Sequence, residues 1–160
     1  MIDPVVLARI DELQMKYLAA LDRHDMNGWL ECFAEEGSYI CISRENHDAG
    51  LPVAMMLDDS YARLKDRVKF VNEVWSGTYE DYATRHFVQR FECTQASGGR
   101  VHVQSNFIVS YTDRRGGSDI LVTGIYQDDI DLSGGAAARF KAKKAIMDTV
   151  TTPRYLVYPI

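Results

Sequence analysis

Four histidines, three cysteines and a scatter of aspartates and tyrosines are the side chains here with the chemistry to act as acids, bases, nucleophiles or metal ligands. His86 has the most suggestive setting. It follows Arg85 directly ahead of a segment of strand character, with Tyr79 and Tyr82 just upstream. A histidine facing the interior of a curved sheet can serve as a general base near neutral pH. Asp22 or Asp25 would orient its ring, and Tyr39 would add a donor. The simpler reading, and the preferred one, is that His86 holds backbone or a partner chain. His102, beside Gln104 and Asn106, reads in the same way as part of a solvated or subunit-facing strand face.

The ligand spacing for a metal is missing. An iron–sulfur cluster of mixed Cys and His ligation needs Cys and His close together in pairs. Cys32 is followed by Phe33-Ala34, Cys41 by Ile42-Ser43 and Cys93 by Thr94-Gln95, with no histidine within three residues. A structural zinc site needs clustered Cys and His. A non-haem iron site needs two histidines and a carboxylate, and His24, His47, His86 and His102 stand far apart. No G-x-G-x-x-G, G-x-x-x-x-G-K-[ST] or G-x-S-x-G occurs. The pairs Gly98-Gly99, Gly116-Gly117 and Gly134-Gly135 fall between strands and read as turn residues. No catalytic centre, cofactor site or metal site is therefore expected on this chain.

Length and charge narrow the classes further. The 160 residues suit one domain, 1–160. A net charge of −5 argues against nucleic acid or an anionic membrane as partner. No apolar run approaches a bilayer span of about 20 residues. The N-terminal Met-Ile-Asp-Pro lacks the features of a signal peptide, and the odd cysteine count fits a reduced, cytoplasmic setting.

The elements that must position these residues are legible in part. Asp3-Pro4 is a cap followed by a first-turn proline. Leu7, Ile10, Leu13, Tyr17 and Leu21 then form one helical stripe. Asp25 predicts a second cap, with Trp29 and Phe33 on the buried side of a short helix ending near Gly37. Ser38 to Ser43 predicts a strand and Asn46 to Gly50 a turn. The apolar run Leu51 to Leu57 has no decisive period. Asp58-Asp59 predicts the cap of a helix reaching about Val74, and Ser76 to Tyr82 a loop. From Phe87 onward the period is two, cleanest where Val101, Val103, Ser105, Phe107, Val109 and Tyr111 share a face. Ile120 to Asp131 continues the sheet. Ala138, Phe140 and Ala142 alternate with Arg139, Lys141 and Lys143 until the phase breaks near Lys144, which predicts a bulge. Helices first and long strands last indicate an α+β fold, its N-terminal helices packed on a strongly curved antiparallel sheet that forms a cone.

The ending Arg154-Tyr155-Leu156-Val157-Tyr158-Pro159-Ile160 is apolar and aromatic. Such a segment either completes its own core or docks on another subunit, and its Tyr and Arg content favours docking. Trp29 reads as core or interface. The candidate partner surface comprises Trp29, Tyr82, Arg85, His86, Arg154, Tyr155 and Tyr158.

Several segments, in order along nearly the whole chain, resemble the small (beta) subunit of aromatic-ring-hydroxylating dioxygenases. They are Asp22 to Tyr39 with Trp29, Phe33 and Gly37-Ser38-Tyr39; Arg44-Glu45-Asn46 with Gly50-Leu51-Pro52; Asp59-Ser60 with Asp66-Arg67-Val68; Tyr82 with Arg85-His86; Ser105 to Val109; Gly124-Ile125-Tyr126; and Tyr158-Pro159-Ile160. Residues 44–52 and the carboxyl end are most similar to salicylate 5-hydroxylase and terephthalate dioxygenase small subunits. The resemblance implies a nuclear transport factor 2-like (SnoaL-like) fold and a mainly structural role. It implies assembly of three alpha with three beta chains, so that other beta subunits are partners too. The alpha subunit would carry the Rieske [2Fe-2S] cluster and the mononuclear Fe(II), with electrons from NAD(P)H through a separate reductase or ferredoxin. Against this stand a small dehydratase, isomerase or cyclase of the same fold using His86 with an aspartate, and a ligand-binding or dimerisation module.

Overall fold

The computed structural model describes residues 2–135 and 137–160. Helix α1 runs Pro4–Asp22, its first turn capped by Asp3, whose carboxylate accepts the Val5 N–H at 2.8 Å. The predicted stripe is buried through Ile10, Leu13, Tyr17 and Leu21. Asp25 caps α2, Met26–Leu30, by accepting the Gly28 N–H at 2.9 Å.

Here the chain departs from the expectation of a helix extending toward Gly37. Phe33 instead opens strand β1, Phe33–Ser43, paired with Phe140. The Phe140 N–H donates to Cys32 O at 2.8 Å, which pulls this stretch into the sheet. Trp29 and Phe33 still touch edge to face, 4.9 Å between ring centres, so the contact that suggested a helix exists without one.

Residues Arg44–Asp48 form a short helix, α3, where a turn was expected from Asn46. The run of undecided period ends in β2, Met56–Asp58, which also takes in Asp58. Helix α4, Tyr61–Lys69, is capped by Ser60 rather than by Asp58 or Asp59. Asp58 is buried and gripped by Arg67 at 2.9 and 3.1 Å, so its carboxylate is committed elsewhere. The helix widens into a π-type turn over Phe70–Trp75.

Four long strands follow: β3 Ala83–Ala96, β4 Arg100–Thr112, β5 Ser118–Asp131 and β6 Arg139–Met147. The sheet order is β2-β1-β6-β5-β4-β3. All neighbours are antiparallel except β1 and β6, which run parallel. The extra residues Phe91, Leu121 and Lys141 interrupt the ladders and bend them. Curvature shows in the reach of α1: its Tyr17 ring meets Phe33 on β1, Phe140 on β6 and Tyr126 on β5, while its Asp11 and Asp22 hold Arg90 and Thr84 on the edge strand β3.

The predicted phase break in β6 lies at Lys141, not Lys144, because Phe140 pairs with Ile130 while Ala142 pairs with Asp129. That shift turns Lys143, expected on the polar side, into the core, where its side chain is fully buried. Its ammonium lies 3.0 and 3.1 Å from the Asp128 carboxylate and 3.7 Å from the Tyr126 ring centre. Gln14 of α1 donates to Asp128 at 2.6 Å. Burial pushes the Asp128 carboxyl up and the Lys143 ammonium down, each partly restored by the attraction between them.

The C-terminal residues fold back into the cone. Val157, Pro159 and Ile160 are buried, whereas Tyr155 is 78% exposed. Val157, Pro159 and Ile160 therefore complete this chain's own core, while the rest of the segment stays half-buried or exposed.

Candidate functional site

Asp22 ends α1 and His86 stands near the start of β3, on the strand face that looks into the cone. Because α1 lies across that face, the two meet. Asp22 Oδ1 is 2.6 Å from His86 Nδ1 and accepts the Thr84 hydroxyl at 3.0 Å, while Oδ2 accepts the His86 backbone N–H at 3.2 Å. Burial pulls the Asp22 carboxyl up, but the hydrogen bonds and charge of His86, with help from Thr84, outweigh it and hold the carboxyl below its ordinary value. An ionised Asp22 accepts a hydrogen bond from the Nδ1–H, which leaves Nε2 as the free end of the ring. Asp25, the other aspartate considered, is spent on capping α2.

This dyad has the chemical form of a general base, yet it has nothing to act on here. His86 Nε2 is buried without a protein partner. The cavity beside it holds about 10 Å³ and is lined by Leu21, Thr84, Leu156, Tyr158 and Ile160 among others. That is room for one water at most. The rest of the space is taken by the chain's own end. The Tyr17 and Tyr39 hydroxyls lie 2.7 and 3.1 Å from Ile160 O, and the Ile160 N–H donates to the Tyr39 hydroxyl at 3.0 Å. Tyr39, expected beside His86 as a donor, is thus committed to the C-terminal segment. Burial pushes the hydroxyls of Tyr17 and Tyr39 well above the ordinary tyrosine range, so both remain protonated donors.

Asp22 also sets an acid limit. A carboxyl held below its unfolded value stabilises the fold above about pH 4, and that stability is lost as pH falls through the lower, folded value. Asp22→Ala should cost about 2 kcal/mol at pH 7 by removing charge-assisted hydrogen bonds. It should also flatten the acid limb of a urea-denaturation profile between pH 5 and pH 2, roughly the carboxylate range. An unchanged acid limb would show that the pair contributes nothing to folding.

The seven candidate interface residues divide by exposure. Trp29 and Tyr82 are buried in this chain's own core, and the His86 side chain is 2% exposed. Tyr82 donates to Tyr155 O at 2.5 Å, anchoring the returning segment. Tyr158 stacks on His24, ring centres 4.1 Å apart. Arg154 bridges to Asp113 at 3.1 Å. Arg85 and Tyr155 remain outward.

Among the described residues no three His, Cys, Asp or Glu side chains converge as a metal-binding group. Cys32 and Cys41 are buried apart from any histidine partner, their thiols pushed up by burial to about 11 and about 12. The residue reasoning from sequence missed was Lys143, whose signal was an acidic residue, Asp128, sharing the inward face with Tyr126 and Ile130.

Comparison with known proteins gives this architecture its setting. Residues 18–154 match the family model described as ring hydroxylating beta subunit. The small subunit of anthranilate 1,2-dioxygenase from Burkholderia cepacia is 30% identical over 92% of this chain and 90% of its own length. Subunit beta 2 of the terminal oxygenase component of terephthalate 1,2-dioxygenase from Comamonas sp is 26% identical over 94% of this chain and 99% of its own. A crystal structure described as the beta subunit of an aromatic-ring-hydroxylating dioxygenase from Novosphingobium aromaticivorans superposes with a TM-score of 0.82 at 33% identity, covering 92% of both chains. The curled sheet with helices packed on it is the cone anticipated from the helix-then-strand order, and it has the nuclear transport factor 2-like fold that the resemblance implied. With the family match running from within α1 to the returning C-terminal segment, the chain belongs to the beta subunits of ring-hydroxylating dioxygenases.

Proposed function

We propose that this chain is a structural, non-catalytic beta subunit, and that it supports hydroxylation of an aromatic carboxylate by an alpha subunit. The observation that carries the reading is the filled cone. The Asp22–His86 pair, the tightest His–Asp pair among the described residues, faces about 10 Å³ of space beneath the chain's own residues, where no aromatic ring fits. The relatives named for anthranilate and terephthalate support an aromatic carboxylate as substrate class. The Rieske [2Fe-2S] cluster and mononuclear Fe(II) belong, on this reading, to the alpha subunit, fed by NAD(P)H through a separate reductase or ferredoxin. Three alpha and three beta chains form the assembly, in the cytoplasm. Arg85 and Tyr155, the outward members of the candidate surface, contribute to the partner interface.

Co-expression with the alpha subunit tests this. Tyr155→Ala combined with Arg85→Glu should weaken assembly about ten-fold or more, as expected when interface aromatic and arginine residues are removed. His86→Ala should leave turnover per assembled iron within about two-fold of the parent, since the imidazole touches no substrate on this reading. Abolished turnover in a His86→Ala complex of normal iron content would instead favour a dehydratase-like or isomerase-like site on this chain.

A further inference from the structure

Two apolar stretches of the sequence meet at one place on the surface. The run Leu51 to Leu57 has no decisive period because it is apolar on both sides. Val53 and Met55 are 60% and 47% exposed and Leu57 is exposed too, while Met56 between them is buried in the core. That is the pattern of a segment covered on both sides, and this chain covers one. The second stretch is the C-terminal segment. Its last residues complete the core, but Val150 and Tyr155 stay outside. Met55 and residues 150–156 line one open groove of about 570 Å³. The polar groups of this groove are engaged within the chain. Glu80 and Arg154 face each other at 3.9 Å, and Arg154 also holds Asp113 at 3.1 Å. The Thr149 and Thr152 hydroxyls donate to Thr151 O at 2.9 Å and Arg154 O at 2.6 Å. Tyr82 anchors Tyr155 O from below, so the wall is formed before anything docks. An exposed apolar centre with a polar, internally satisfied rim is the composition of a protein contact.

We propose that the alpha subunit docks in this groove, inserting an uncharged apolar side chain, aromatic or branched aliphatic, between Met55, Val150 and Tyr155. The proposal rests on the beta-subunit reading and deepens it, by naming the surface and the chemistry of what covers it. The rim charges are already paired, so a charged anchor would lose its hydration without gaining a free partner there. A second copy of this chain fits less well. Setting the patch against itself needs a two-fold axis, which joins copies in twos, whereas the reading has three of each chain. An alpha chain is under no such restriction, since each copy meets one groove.

Co-expression with the alpha subunit tests this, with the photocrosslinking residue p-benzoylphenylalanine placed at Val150 and Met55→Asp as the disrupting variant. Irradiation should join this chain to the larger chain. Met55→Asp should weaken assembly with the alpha subunit at least about ten-fold, read by native mass spectrometry. Its melting temperature should stay within about 2 °C of the parent, because the Met55 side chain is exposed in the free chain. Met55→Leu, which keeps the apolar character, should assemble as the parent does. The cross-link identifies the occupant whether or not Met55→Asp folds. An adduct of two copies of this chain, or a folded Met55→Asp chain that assembles with the alpha subunit as the parent does, overturns the proposal and leaves the beta-subunit reading standing. A parent chain that never associates with the alpha subunit overturns that reading, and the docking site with it.

Discussion

Lys143→Met should lower stability by about 3–5 kcal/mol, the usual cost of removing one partner of a buried ion pair. The Asp128 carboxylate would remain fully enclosed, with only the 2.6 Å hydrogen bond from Gln14 to support it. Against a typical domain stability of about 5–15 kcal/mol, that loss consumes much of the margin. The double variant Lys143→Met with Asp128→Leu removes both charges and keeps the volume. It should recover to within about 1–2 kcal/mol of the parent or surpass it, because hydrophobic replacements of buried pairs are often neutral or stabilising. Urea denaturation of the parent, Lys143→Met, Asp128→Leu and the double variant gives the coupling directly. A single variant as stable as the parent would mean that the pair is already neutral in the folded state. Lys143 also lies 4.5 Å from the ring centres of Tyr17 and Phe140, so part of its stabilisation comes from aromatic faces that the methionine retains by contact.

Gly124→Ala should be the other severe change. Gly124 sits in the middle of β5, opposite Phe107 on β4 and Met147 on β6. A methyl group there would run into the Ile146 carbonyl oxygen and come within 2.7 Å of the Phe107 ring. The ring cannot retreat freely, since it stacks on Tyr126 with centres 4.3 Å apart. Overpacking of a strand centre against backbone costs about 3 kcal/mol or somewhat more. Phe107→Leu in the same chain should recover only part of this, because the carbonyl stays in place. Thermal melting of the purified variants checks both statements, and a Gly124→Ala protein melting with the parent would contradict the packing described for β4, β5 and β6.

The legible part of this molecule is the part written in short-range periodicity. Asp3-Pro4 and the Ile10, Leu13, Tyr17 and Leu21 stripe specify α1, and alternation from Val101 to Tyr111 specifies β4, because each depends only on neighbours along the chain. The pairing of His86 with Asp22 was foreseeable as one of two options, since Asp25 has a competing role as a cap. Lys143 was not, because one inserted residue, Lys141, reverses which side of β6 faces inward, and the insertion is defined only by the partner strand. Phe33 was misread for a related reason. Its spacing from Trp29 satisfies a helix, while the hydrogen bond from Phe140 that settles the matter comes from a residue more than a hundred positions away. The apolar character of the C-terminal segment was plain, but whether it covers its own core or another chain depends on the depth of the cone.

The central claim is that this chain assembles an oxygenase without holding its iron. Native mass spectrometry of the complex purified from its host, with iron quantified on each separated chain, tests it most directly. The expected result is an assembly of equal numbers of the two chains in which all iron partitions with the larger one, and no oxygenase turnover from this chain alone. Stoichiometric iron retained by this chain after separation, or full turnover in the absence of the larger chain, would contradict it.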